Sequence, residues 1–334
     1  MMIVGESDMA RFGKILLGVV AAGLALVAAG CIALQRPDIP YATLEAKYAN
    51  ASSRYMDLPG GLHVHYRDQG NASGPAIVMV HGFAASLHAW EPWVARLGDT
   101  YRIVTLDLPA HGLTRAPATY VTSLDASADV VDQVAGRLGL VRYVVAGNSM
   151  GGGVAWSLAL RHPDHLRGLV LVDAVGMPQK GRNEGSPLIF KILANPVGRM
   201  VLRNIDTRPL AESGLKTAYV DPALVTPALV DRYVELSRAP GHRDILLNGQ
   251  GRPRIAMTAD AFKAITAPTL IMHGEADKLI PVASSRALAA VIPGAKLITY
   301  KGVGHVPMEQ IPDQSAADLR AFLAGLPAET GKGG

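Results

Sequence analysis

The chain has 334 residues, 49% of them hydrophobic and 18% charged, which suits a globular protein of one large domain or two small ones with an ample core. The formal net charge is only +4 and the basic residues are scattered, so there is no nucleic-acid footprint. One cysteine excludes an internal disulfide framework and any CxxC site, and no HExxH or other close ligand cluster appears, so chemistry without a metal or cofactor is expected.

In chain order, Arg11 and Lys14 precede an uncharged run from Ile15 to Leu34, about the twenty residues that a membrane-spanning helix needs. Cationic residues on the near side would stay cytoplasmic and send the rest across. Three readings stay open: an uncleaved anchor, a cleaved signal peptide, or a lipoprotein signal in which Ala28-Ala29-Gly30-Cys31 resembles a lipobox. Residues 1–34 are therefore expected to attach the protein to the membrane through residues 11–34, or to export it. The catalytic domain would then be extracytoplasmic, in a bacterial periplasm.

Residues 35–52, with Pro37 and Pro40, read as a spacer. Arg54 to Asp57 and Leu62 to Tyr66 flank Pro59-Gly60-Gly61, the punctuation of a β-hairpin. His63 and His65 alternate on one strand, and without a third ligand they read as exposed strand histidines. Ala76 to Val80 is a continuous apolar strand of the kind covered on both faces, running into His81-Gly82-Phe83. His81 reads as a residue that orients this loop. A further strand, Tyr101 to Leu106, ends in Asp107-Leu108-Pro109-Ala110-His111-Gly112, where Asp107 is expected to cap the following loop. Leu124 to Leu138 has helical apolar spacing with acids early and Arg137 late, which suits the helix dipole.

Next comes Gly147-Asn148-Ser149-Met150-Gly151, a G-x-S-x-G stretch between the apolar run Tyr143 to Ala146 and a segment of helical composition. Strand, sharp turn and helix would hold Ser149 in a strained backbone conformation above the sheet, at a helix N-terminus that favours developing negative charge. Ser149 is the candidate nucleophile. The N–H groups of Met150 and, by position, Phe83 are the candidate oxyanion donors. Gly168 to Asp173 is another buried strand.

His81-Gly82-Phe83, Asp107 to Gly112 and Gly147 to Gly151, in that order and each after a strand, resemble the α/β-hydrolase family over roughly residues 53–326. The resemblance implies an α/β fold: a mostly parallel eight-stranded sheet, helices on both faces, and a helical cap inserted after the sixth strand. The core would be residues 53–175 and 262–326, and the cap residues 176–261. It also implies a triad in the order Ser, Asp, His. Strand Pro268 to Gly274 is followed by Glu275-Ala276-Asp277, and Lys296 to Tyr300 leads to Gly304-His305. By this order Asp277 and His305 complete the triad with Ser149. Glu275 and Asp173 compete for the acid, because some relatives carry it after the sixth strand.

A serine at the elbow argues against the dehalogenases and epoxide hydrolases of this family, which place aspartate there. What remains is a serine hydrolase that cleaves carboxylic esters through an acyl-enzyme, its substrate a small molecule with an apolar acyl group. Gly-Asn-Ser-Met-Gly-Gly is also similar to the elbow of hydrolases that cleave carbon–carbon bonds in ring-fission products, the alternative activity. A hydrolase-fold binding protein and a membrane-attached scaffold are the readings outside catalysis. Apolar cap groups such as Pro187 to Phe190 and Val197 to Leu202 are candidates to line an acyl pocket.

Overall fold

The computed structural model describes residues 6–33, 35–177, 195–248 and 257–327. Its centre is an eight-stranded sheet in the order β1-β2-β4-β3-β5-β6-β7-β8. The strands are β1 (Ser53–Leu58), β2 (Leu62–Gly70), β3 (Ala76–Val80), β4 (Arg102–Leu106), β5 (Tyr143–Asn148), β6 (Leu166–Val172), β7 (Thr269–Gly274) and β8 (Lys296–Tyr300). β1 and β2 form the expected hairpin, and β2 runs antiparallel to β4. Every other pair is parallel. All five residues of β3 and all six of β5 and β7 are buried, as continuous apolar strands must be when helices cover both faces.

Before the sheet come α1 (Glu6–Ala33) and α2 (Tyr41–Tyr48); between strands lie α3 (Glu91–Leu97), α4 (Leu124–Arg137) and α5 (Met150–Arg161). Ser123 caps α4 by accepting the N–H of Ala126 at 3.0 Å, with Asp125 in the first turn and Arg137 in the last. Between β6 and β7 the described elements are helical: α6 (Pro196–Asn204), α7 (Arg208–Tyr219), α8 (Pro227–Ser237), α9 (His242–Asn248) and α10 (Ala259–Lys263), with short 3-10 turns. The chain ends with α11 (Val282–Val291), α12 (Pro307–Gln310) and α13 (Pro312–Ala324). On one face Val131, Val154, Trp156, Phe262 and Leu288 pack on the sheet. On the other, Trp90, Trp93 and Leu319 do so together with Leu215 and Val230 from α7 and α8.

The sequence expectations at the N-terminal end need correction. Residues 35–50 are docked, not a free spacer: α2 buries Leu44 against Leu113, Leu236 and Ala239, and Lys47 pairs with Glu235 at 2.8 Å. The stretch after α1 is held by Arg36 on Asp206 at 3.2 Å and Arg243 on Asp38 at 2.6 Å. On α1 itself, Ile15, Leu17, Leu24 and Leu26 are each more than half exposed. Among the described residues no helix is long and apolar enough to cross a membrane. The span expected over residues 11–34 is thus not borne out among them; the side chains of residues 6–13, Cys31 and Leu34 lie outside the described residues. Of the pocket-lining candidates, Pro187 to Phe190 and the side chains of Met200 to Leu202 also lie outside.

Candidate active site

The turn between β5 and α5 is as tight as its sequence requires. Ser149 adopts φ 55° and ψ −116°, a conformation that L residues avoid. The turn is held from both sides, by Ser149 N–H donating to Val172 O at 2.9 Å and Val175 N–H donating to Ser149 O at 3.0 Å. A Cβ on Gly147 would overlap the carbonyl oxygen of Gly151, and one on Gly151 would overlap that of Val80, so neither position admits a side chain. Met150 is the first residue of α5, and its N–H belongs to the first turn, which has no intrahelical acceptor.

The loop after β3 closes on this turn from the neighbouring strand. A Cβ on Gly82 would lie 3.1 Å from the Cβ of Ser149. His81 is fully buried; its Nδ1 donates to Gly82 O at 2.7 Å while its Nε2 accepts the N–H of Leu108 at 3.0 Å. Because carbonyls only accept and amides only donate, these partners fix a neutral tautomer with its proton on Nδ1. Burial also holds the His81 pKa below the usual value. The carbonyl that His81 grips belongs to the same peptide unit as the Phe83 N–H, so His81 sets the direction of that donor.

Asp277 follows β7 and His305 follows β8, and the structure brings them together. His305 Nδ1 donates to Asp277 Oδ2 at 2.7 Å, which leaves Nε2 as the nitrogen able to accept a proton. Asp277 Oδ1 accepts the N–H groups of Leu279 and Ile280 at 2.7 and 3.0 Å. Burial opposes its ionisation, but His305 and these donors outweigh it and hold the carboxyl below the ordinary range. Ser149 and His305 both line a cavity of about 250 Å³, shared with Phe83, Leu210, Leu215 and Leu246. His305 N–H donates to Ala218 O at 2.8 Å, so α7 fastens the histidine loop beneath the helices that wall the cavity.

Of the competing acids, Glu275 is exposed and accepts from Thr299 Oγ1 at 2.8 Å, away from the histidine. Asp173 is fully buried beside the pair; one ligand atom each from Asp173, Asp277 and His305 lie within 4.8 Å of one another. By residue type that cluster could hold a metal ion, as could the more exposed group Asp132, His162 and His165 near the N-terminal end of β6. The sequence reading missed Asn148, whose side chain reaches the histidine loop; its place inside the G-x-S-x-G motif was the available signal.

A second Ser-His-Asp chain corrects the reading of His65 as exposed. His65 is fully buried, with Nδ1 on Asp107 Oδ2 at 2.7 Å and Nε2 on Ser53 Oγ at 2.9 Å. Asp107 also accepts the N–H groups of Leu87 and Leu113, at 2.8 and 2.9 Å, which is the loop-capping role expected of it. This chain joins β1, β2 and the loop after β4, and its members are spent on structural partners. His63 is partly exposed and pairs with Asp57 at 2.6 Å.

Comparison with known proteins agrees with this architecture. The chain is 27% identical over 276 residues to 2-hydroxymuconate semialdehyde hydrolase of Pseudomonas sp. (strain CF600), covering 80% of this chain and 92% of the relative. It is 28% identical over 262 residues to pimeloyl-[acyl-carrier protein] methyl ester esterase of Nitrosomonas europaea, covering 75% and 96%. Among solved structures it resembles a bacterial membrane phospholipase A with a TM-score of 0.70 and 26% identity, covering 95% of this chain and 98% of that one. Residues 75–311 match the alpha/beta hydrolase fold family, well over half of the sequence. With the sheet order and the strand–turn–helix at Ser149 already established, the conclusion is direct: this chain belongs to the alpha/beta hydrolase fold family.

Proposed function

We propose that the protein is a serine hydrolase that cleaves carboxylic esters through an acyl-enzyme. The observation that carries this reading is that Ser149, on its strained turn, opens into the same apolar cavity as a histidine already paired with a carboxylate. In the first half-reaction the Ser149 oxygen attacks the ester carbonyl as His305 takes its proton. The N–H groups of Phe83 and Met150 receive the oxyanion, and the imidazolium then protonates the departing alcohol. Water, deprotonated by His305, releases the acid in the second half-reaction. Asp277 keeps the imidazole in the tautomer that both halves need. Residues 176–261 act as the cap, and their apolar side chains Leu210, Leu215 and Leu246 receive the acyl chain.

The test is hydrolysis of p-nitrophenyl esters from acetate to dodecanoate by the full chain, with Ser149→Ala as control. Turnover that the alanine variant lacks supports the reading, and the optimum gives the usable depth of the cavity. Unimpaired turnover in Ser149→Ala would overturn the mechanism. The similarity to 2-hydroxymuconate semialdehyde hydrolase favours a second reading, carbon–carbon bond hydrolysis of ring-fission products. Folded protein that turns over such a product and no ester moves that reading to first place.

We further propose that residues 11–34 attach the protein to the cytoplasmic membrane with the catalytic domain on the extracytoplasmic side. Support comes from the exposed apolar side chains of α1 and from the likeness to a membrane phospholipase A, which covers 95% of this chain. Fractionation of bacteria expressing the full chain or residues 35–334 tests it: recovery of both from the same soluble fraction overturns the attachment.

A further inference from the structure

Asp173 stands at the C-terminal end of β6 in a left-handed conformation, φ 44°, which a residue with a Cβ adopts at a cost. That conformation is held by its own N–H, which donates to Met272 O at 2.9 Å, and it turns the carboxyl into the fully buried space behind Asp277. Oδ1 accepts the N–H of Gly274 at 3.0 Å, while Oδ2 is buried with no hydrogen-bond partner.

The groups around it leave one solution. His273, on β7, is 3.5 Å from Asp173 Oδ1 and 3.7 Å from Asp277 Oδ2, yet its proton is already committed. Its Nε2 donates to Ile280 O at 3.0 Å and its Nδ1 accepts from Ser285 Oγ at 2.7 Å. His305 donates to Asp277, Tyr300 on β8 donates to Asp318, and Arg286 on α11 reaches this region only as a charge acting on His273. Among the described residues no cation is therefore paired with Asp173. Asp277 has two backbone amides and His305 to favour its charge, whereas Asp173 has a single amide. Two adjacent buried carboxyls cannot both ionise, and the better-served one keeps the charge.

We infer that Asp173 is a positioning residue, its carboxyl carrying a proton that it donates to the Asp277 carboxylate and so fixing that group for its bond to His305. The unpartnered Oδ2 is then the protonated oxygen, and the strain at Asp173 is the means of aiming it. Burial first, and the neighbouring Asp277 second, hold the Asp173 carboxyl well above the ordinary range, in the same sense. The catalytic part of this inference rests on the ester-hydrolase reading; the protonation does not.

Two variants and one spectrum test it on the full chain. In Asp173→Asn the side-chain amide still donates to Asp277 and its carbonyl still accepts from Gly274, whereas Asp173→Ala supplies no donor. The alanine variant is expected to lose about tenfold to a hundredfold in kcat/KM on a p-nitrophenyl ester, the size of effect that misplaced catalytic groups produce. Its acidic limb is expected to move to higher pH, because a carboxylate with fewer donors holds the imidazolium more strongly. Asp173→Asn should recover most of that loss and restore the limb. An asparagine variant as impaired as the alanine one overturns the inference, and so does an alanine variant whose limb does not move. Infrared spectroscopy reads the proton itself: the wild type at neutral pH should show the carbonyl stretch of a protonated carboxyl that Asp173→Asn removes. Absence of that band in the wild type overturns the inference whatever the turnover. Its presence in a protein that hydrolyses no ester leaves the inference intact and rejects only the proposed function.

Discussion

The side-chain amide of Asn148 donates to the main-chain carbonyl of His305 at 3.0 Å, so the residue before the candidate nucleophile holds the loop that carries the candidate base. The same amide reaches Val172 O at 3.2 Å, at the end of the neighbouring strand. One short side chain thus spans three loops at the C-terminal edge of the sheet. Asn148→Ala leaves two buried carbonyls without this donor and should cost about 1–3 kcal/mol in denaturant unfolding. It should also lower kcat more than it raises KM, since the histidine loop loses this tether and keeps its bond to Ala218 O while the leucines of the cavity are unchanged; an effect on KM alone would contradict this.

His81 acts on the candidate oxyanion hole through one peptide unit. His81→Ala removes the bond to Gly82 O and frees the Phe83 N–H to turn. The expected result is a fall in kcat of about tenfold or more, approaching the loss of one oxyanion donor. A transition-state analogue should bind more weakly by a similar factor, and a ground-state product acid should not. Equal weakening of both would show that His81 shapes the cavity and not the donor.

The Ser53–His65–Asp107 chain is predicted to be worth stability and not turnover. His65→Ala leaves Asp107 buried with only its two backbone donors and should destabilise by about 3 kcal/mol, with activity per folded molecule retained. Burial opposes the Asp107 charge, but His65 and the neighbouring histidines more than offset it and depress the carboxyl below its ordinary 3.8. A depressed acid contributes stability that is fully present above the unfolded value and is lost as pH falls through the folded one. The His65→Ala penalty should therefore persist at neutral pH and shrink only in strong acid, which unfolding curves at several pH values would measure.

Glu309 has the opposite sign. Burial raises its pKa from 4.5 to about 7, and Arg232, at 3.9 Å, compensates only in part. Folded protein holds a proton there that unfolded protein has released, so stability from this group is fully present below 4.5 and is lost as pH rises to about 7. Glu309→Gln should remove that slope and leave the protein about 3 kcal/mol more stable than wild type at pH 8, with little difference at pH 4. Equal shifts at both pH values would show that the carboxyl is not held protonated.

Much of this molecule is local in sequence, and that part was legible. The apolar runs of β3, β5 and β7, the hairpin around Pro59-Gly60-Gly61, the helix with early acids and late Arg137 over Leu124–Arg137, and the glycine-flanked Ser149 each depend on residues a few positions apart. Backbone sterics and burial act at that range, so their signals survive in a string of letters. The order of motifs along the chain then carried the family resemblance to Asp277 and His305, and the structure puts those two in contact.

What the tertiary structure alone decided are the pairings between residues far apart. His65 meets Asp107 across 42 positions, Gly274 meets Asp173 across 101, and Asn148 meets His305 across 157. The sequence left His65 an exposed histidine, Asp173 a rival acid and residues 35–50 a spacer, because nothing near any of them names a partner. Whether a histidine is buried, or which of two carboxyls keeps its charge, is set by dielectric surroundings and available donors. In this protein those are supplied by neighbouring strands, and they exist only once the sheet has closed around them.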